Sequence, residues 1–463
     1  MADGHAGGRV IPPYSNCRRF EDIVGAVIHR RILRIVVLAA SYALSSARGQ
    51  PIHSAAADSA AVARNAVRDA NAALQRGDLH AARALVDRAV RAWPAQPAYV
   101  WARAILAERD GDATALEAWL TRYADLGLGR DLHADPRFSQ MLGKGFDAIA
   151  ARHDANRRAI ANGVARSVPI DSMFWPEGID ADPRNGRLYI ASVRHRTVAE
   201  VSPDGSVREL LARDRGDLAP ILGVRVDTVR NSAWITMSGL RNVPGFRAED
   251  STKASLLRVD ITTGAIVQRF DVPFVPGGHV LGDLAIGGDG TVYVTDSTQP
   301  VLYRLAPEAR ALEQIRNPLF YSLQGVAPTP DGEWLYIADY ALGLLRMNLA
   351  TGSIVALADP ERGTAVGCDG IVWHGGAIIA VQNGVSPARV VRLVPDQISD
   401  RLLRVDVLDQ NVAIADEPTI GTLLGDDFLY VANSQWEKFS DDGARNPAHP
   451  LTSPVVVRVH LPR

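Results

Sequence analysis

The stretch FWPEGIDADPRNGRLYIAS, Phe174–Ser192, decides the fold. A turn around Pro183, Asn185 and Gly186 separates two short runs, EGIDA and RLYIAS. The second run alternates with period two, the mark of a half-buried strand. The pair returns five times. The later second strands read SAWITMS (232–238), TVYVTDS (291–297), WLYIADY (334–340), AIIAVQN (377–383) and FLYVANS (428–434). Before them stand LGVRV, GDLAI, QGVAP, DGIVW and GTLLG; after them come third runs such as SLLRVD and VVVRVH, and in most copies a fourth such as SIVALA. Four strands per unit at intervals of 43–59 residues make a β-propeller, and six units make six blades. The last copy has no fourth strand before Arg463. A ring of blades must close, so GVARSVPI (163–170) is expected to supply the outer strand of blade six.

Upstream, residues 54–162 are rich in Ala, Arg, Leu and Asp with helical periodicity. LQRGDLHAARALVDRAV is echoed by AERDGDATALEAWLTRYA, and their Gly77-Asp78 and Gly111-Asp112 turns lie 34 residues apart. That is the tetratricopeptide period. A third, poorer unit runs from Pro136 to about Ala161. The fold expected is therefore mainly β. A six-bladed β-propeller (163–463) follows an all-α, tetratricopeptide-like helical domain (54–162) that hangs from the closure seam. An irregular helical cap packed on the propeller is the alternative.

Residues 1–47 read as an export signal. His29, Arg30, Arg31 and Arg34 precede the apolar run IVVLAASYAL (35–44), and Ser45 and Ala47 follow where a signal peptidase reads small residues. The run is short for a membrane span. Residues 1–26 are long and Gly-rich for a signal, which points to a start near Val24 or Val27. The protein is expected in the periplasm or secreted, with no stable span after cleavage; a membrane anchor is the alternative. Cleavage removes Cys17 and leaves Cys368 as a lone thiol, the place of a buried small hydrophobe. Over 463 residues, 47% are hydrophobic and the net charge is −2, which gives a nucleic-acid partner no electrostatic support.

The chain has no Gly-x-Ser-x-Gly elbow, no His-Glu-x-x-His, no phosphate loop and no dinucleotide fingerprint. Propeller geometry supplies candidates instead. First strands line the channel, and their starts share one mouth with the ends of second strands. The starts are Glu177, Leu222, Gly282-Asp283, Gln324, Asp369 and Thr419. The ends are Ser192, Ser238, Asp296, Asp339, Asn383 and Asn433. Carboxylates and amides concentrated this way suit a hard divalent cation. Asp296, Asp339 and Asn433 also fit the ordinary task of binding turn amides at strand ends. Trp436 either walls a pocket or packs on its blade. His279 reads as an edge residue close to the mouth.

The copies PEGIDADPRNGRLYIAS, GDLAIGGDGTVYVTDS, LQGVAPTPDGEWLYIADY and CDGIVWHGGAIIAVQNG resemble the six-bladed propellers of the gluconolactonase, regucalcin and luciferin-regenerating-enzyme group, and also NHL-repeat blades. The resemblance covers about residues 170–463 and implies hydrolysis of a lactone with one divalent cation (Ca²⁺, Mg²⁺, Mn²⁺ or Zn²⁺) at the mouth. By that resemblance Glu177 and Asp369 are ligands, with Asp369 the base; Gln324 stands where the family has Asn, and Gly282-Asp283 replaces an Asn-Asp pair. The expected site is then Glu177, Gln324 and Asp369 for metal, Asp369 and Asp283 for proton transfer, and Asn383, Asn433 and Trp436 for a small-molecule lactone or ester. The rival expectation is a non-catalytic scaffold whose helices bind an envelope protein or peptide.

Overall fold

A computed structural model describes residues 55–213, 215–440 and 443–462; the export signal expected over residues 1–47 lies outside the described residues. Six four-stranded antiparallel sheets ring a channel. Blades one to five are the continuous segments 176–209, 221–271, 281–315, 323–356 and 368–410. Blade six takes β22 (Gly421–Leu424), β23 (Asp427–Val431) and β24 (Val455–His460), and its outer strand is β1 (Val164–Ser167). β1 runs antiparallel to β24, with Val164 opposite Arg458 and Ser167 opposite Val455. The ring is therefore a six-bladed propeller stitched shut by a strand that precedes the first blade.

The large residue in each second strand explains why the blades stack. Tyr189, Tyr336 and Tyr430 are each 1% exposed, and Trp234, Tyr293 and Ile379 are buried too. Each such side chain is worth roughly 1.5–3 kcal/mol on burial.

The innermost strands are β2 (Pro176–Asp182), β6 (Ile221–Asp227), β10 (Leu281–Ile286), β14 (Leu323–Pro328), β18 (Cys368–His374) and β22. In the first five, pairing with the second strand slips by one residue at the same place: after Pro176, Ile221, Leu281, Leu323 and Cys368. Each slip spans a candidate dipeptide: Glu177-Gly178, Leu222-Gly223, Gly282-Asp283, Gln324-Gly325 or Asp369-Gly370. A bulge of this kind bends a strand and re-aims one side chain. The glycines have a separate cause. A Cβ on Gly178 would stand 2.4 Å from the Leu222 carbonyl oxygen, and one on Gly325 2.4 Å from that of Asp369. Gly178, Gly223, Gly325 and Gly370 thus let the next blade's inner strand pass and mark ring closure rather than chemistry, whereas a Cβ on Gly282, which precedes Asp283, would meet no atom closer than 3.4 Å.

The 34-residue echo becomes two helical hairpins, α1 (Ala55–Gln75) with α2 (Leu79–Ala92) and α3 (Pro97–Asp110) with α4 (Ala113–Asp125). Asp78 and Asp112 cap α2 and α4, accepting from the Ala81 and Ala115 amides. The third unit is a short pair, α5 (Pro136–Leu142) and α6 (Phe146–Arg157). No helix among the described residues is long and apolar enough to cross a membrane.

The helices do not simply hang from the closure seam. The connector does sit near it, where Ile160 bridges Gln410 on the outer strand of blade five. The body of the domain lies over blades four and five, on the mouth face, because its polar groups find partners there. The Trp93 indole and the Gln96 amide donate to the carbonyls of Leu342 and Ala341. The Gly129 amide donates to the Ser386 carbonyl, and the buried Arg389 guanidinium donates to the Gly127 carbonyl. Val385 joins the apolar core of the helices.

Candidate active site

The bulges carry Glu177 and Asp369 toward one hydroxyl. Thr419 Oγ1, just ahead of β22, lies 3.2 Å from Glu177 Oε1 and 3.1 Å from Asp369 Oδ2. The two carboxylates are 6% and 8% exposed. A hydroxyl has one proton to donate, so two carboxylates converging on it draw positive charge, a proton or a cation, to that spot.

Each carboxylate is held from a different side. Asn383 donates to Asp369 Oδ2 at 2.7 Å and to the Pro418 carbonyl at 2.8 Å. Tyr340 donates its hydroxyl to Asn383 Oδ1 at 3.0 Å. The loop directly after Tyr340 is the one bound by Trp93 and Gln96 of the helical domain. Asp369 is thus tied through Asn383 and Tyr340 to a loop the helices clamp. Glu177 is held by Trp436, whose indole N–H donates to Oε2 at 2.6 Å. Trp436 meets fully buried Trp175 edge-on, with centroids 5.0 Å apart, and Trp175 stacks on Phe439 at 4.2 Å.

Gln324 is brought to the same mouth but bonded elsewhere. Its amide oxygen accepts from Ser297 at 3.3 Å and its amide nitrogen donates to Ser322 at 3.4 Å. Among the described residues no group of three or more His, Cys, Asp or Glu forms a metal cluster. The candidate ligands are therefore two carboxylates on one hydroxyl, with an amide beside them.

Below the mouth the channel is crossed by charge. Arg225 of β6 pairs with Asp283 at 3.1 Å and donates to the Ile179 carbonyl. Burial pushes the Asp283 carboxyl up to about 6; Arg225 works against that shift, and Asp369 and Asp180 add to it. Asp180 accepts from the Val226 amide and from Thr422, which links blades one, two and six. Arg225, Tyr340 and Thr422 carry much of the site's wiring and were not singled out by the sequence. For Arg225 a signal existed: it is the arginine in LGVRV, at an inner-strand position apolar in most other copies.

The remaining candidates do structural work. Asp296 accepts from the Val280, Thr298 and Gln299 amides, and Asp339 from those of Tyr321, Ser322, Ala341 and Leu342. Asn433 binds Thr452, Ser453 and Val455 in its own blade's loop. His279 is buried between Asp296 Oδ2 at 2.6 Å and the Pro273 carbonyl at 3.0 Å. Both ring nitrogens face acceptors. Burial alone would lower its pKa, but the Asp296 carboxylate outweighs it and holds the imidazolium above the usual range. Cys368 is a buried thiol whose pKa burial pushes up, so it is not poised as a nucleophile.

No family profile matches this sequence, and no curated protein matches it. Solved structures resemble it at low identity. A calcium-binding protein, regucalcin, from Agrobacterium tumefaciens is 16% identical over 65% of this chain and 98% of its own, with a TM-score of 0.45. A gluconolactonase from Xanthomonas campestris is 16% identical over 67% of this chain and 93% of its own, with a TM-score of 0.43. Virginiamycin B lyase from Staphylococcus aureus is 14% identical over 58% of this chain and 80% of its own, with a TM-score of 0.42. Likeness at this level concerns the propeller fold, which the strand topology establishes independently, and says nothing of chemistry.

Proposed function

We propose that the channel mouth hydrolyses a small-molecule ester of the lactone class. One observation carries the reading: Glu177 and Asp369, both buried, converge on the single hydroxyl of Thr419 with a third carboxyl, Asp283, beneath them. The donor set is all oxygen, which fits a hard divalent cation in kind. Glu177, Asp369 and Gln324 would hold it, and when bound it supplies polarisation of the ester carbonyl and a more acidic water. Asp369, steadied by Asn383, takes the proton of the attacking water. Asp283 and Arg225 set the charge beneath it. Trp436 fixes Glu177 and borders the substrate. Asn433 has no part in this reading, because its amide is committed to the Thr452–Val455 loop.

The helices use part of their surface on the propeller, which supports an intramolecular role over docking of an envelope protein or peptide. The export pattern in residues 1–47 adds the proposal that the protein works outside the cytoplasm, which N-terminal sequencing of the mature chain tests. The hydrolase is tested by metal content after dialysis with Ca²⁺, run beside Glu177→Gln and a lactone panel. The expected result is about one equivalent of metal, lost in the variant, with lactone turnover. Turnover of no lactone overturns the reading.

A further inference from the structure

We infer that the ligand of this mouth is a lactone or ester bearing an apolar chain or ring, not a polyhydroxylated sugar lactone. The inference rests on the hydrolytic reading for its ester group and on separate observations for the rest of the ligand.

The mouth is divided. On the side of blades four and five stand Asp369, Asn383, Tyr340 and Gln324. On the other side Glu177 of blade one and Thr419 of blade six keep the ring polar, but blade two turns it apolar, and aromatic and aliphatic side chains of the adjoining loops surround that position. Leu222 occupies, in blade two, the bulge position that holds Glu177, Gln324 and Asp369 in blades one, four and five. It packs in one cluster with Trp175, Leu240 and Val243, against which Val280, Trp436 and Phe439 lie partly buried.

Two long loops build that wall. Residues 239–253 of blade two and 432–440 with 443–454 of blade six lie beyond the ends of second strands, on the mouth face. They meet over blade one, where Gly443 lies so close to Val243 and Pro244 that a Cβ would stand 2.9 Å from the Pro244 amide nitrogen. Each loop is shaped by a short 3₁₀ turn, Ala248–Thr252 in the first and Trp436–Lys438 in the second. Val280, at the channel end of the segment 272–280 that leads into β10, packs partly buried against the same cluster.

Trp436 joins the two halves. Its N–H is given to Glu177, while its ring stays partly exposed on the apolar side. An ester placed at Glu177 and Asp369 therefore has its remainder beside Trp436, on the side where Val280 and Phe439 lie partly buried. A hydrocarbon group gains there by leaving water. A ring of hydroxyls loses, because each needs a partner the wall does not offer.

The test uses the full mature chain with γ-decalactone and glucono-δ-lactone as substrates. The corresponding lactams serve as non-hydrolysed ligands, followed by tryptophan fluorescence. The expected result is a preference of at least about tenfold in kcat/KM for the alkyl lactone. Equal or better turnover of glucono-δ-lactone overturns the inference and leaves the hydrolase standing. Binding of the alkyl lactam without turnover of either lactone keeps the inference and removes the hydrolase. Binding and turnover of neither overturns both.

Discussion

The two carboxylates at the mouth are supported in opposite ways. Asp369 sits in a chain of hydrogen bonds that runs through Asn383 and Tyr340 to the loop clamped by Trp93 and Gln96. Glu177 sits against an aromatic stack of Trp436, Trp175 and Phe439. A hydrogen-bonded support sets direction and protonation. An aromatic support sets position and excludes water. One site thus has a side suited to moving protons and a side suited to holding carbon, and each side is roofed by an element outside the propeller repeat.

The largest effect should come from the polar side. Asp369→Asn should lower kcat by about 10²–10⁴, the usual worth of a general base, with little change in melting temperature. Activity within a few fold of the parent chain would show that the two carboxylates are equals and that the proton goes elsewhere.

Next comes the ring beneath both sides. Gly370→Ala places a Cβ 2.7 Å from the Ile420 Cα and should cost about 1–3 kcal/mol by overpacking. Denaturant unfolding reads it. An unchanged midpoint would mean that the glycines following the candidates are not there for ring closure.

Tyr340→Phe is smaller and sharper. It removes the hydroxyl donated to Asn383 and should cost about 1 kcal/mol in stability. A fall in kcat with KM unchanged is also expected, since the chain it breaks ends on Asp369. The same substitution should not alter tryptophan fluorescence from the Glu177 side. If it does, the two supports are coupled and the comparison fails.

The smallest effect is a pH dependence on blade three. His279 has a folded pKa raised above its ordinary 6.5 by Asp296. Its contribution to stability is fully present below about 6.5 and is lost as pH rises through the higher folded value. Unfolding free energy should therefore decline through that window in the parent chain and less so in His279→Asn. An identical decline in both would place the titration elsewhere.

The division between legible and illegible follows the length scale of the interactions. The blades could be read because each depends on residues close in sequence: a turn, a period-two strand and a large residue at its centre. The column of Glu177, Gln324 and Asp369 could be read because a propeller puts equivalent positions on one ring. Its geometry could not. That Gln324 bonds Ser297 and Ser322, while Glu177 and Asp369 meet on Thr419, depends on contacts among different blades. Asn433 and Asn383 look alike in their strands, FLYVANS and AIIAVQN. One binds its own blade's loop and the other binds Asp369, and only packing separates them.

The sequence by itself determined the six-bladed ring, its repeat and the helical hairpins, because periodicity and turn chemistry act locally. Tertiary structure alone decided that the helices lie over blades four and five, and that the loops of blades two and six meet across blade one. It also decided that Arg225 crosses the channel to Asp283. Those outcomes depend on which distant carbonyl, ring or carboxylate a side chain reaches, and no local pattern records that distance.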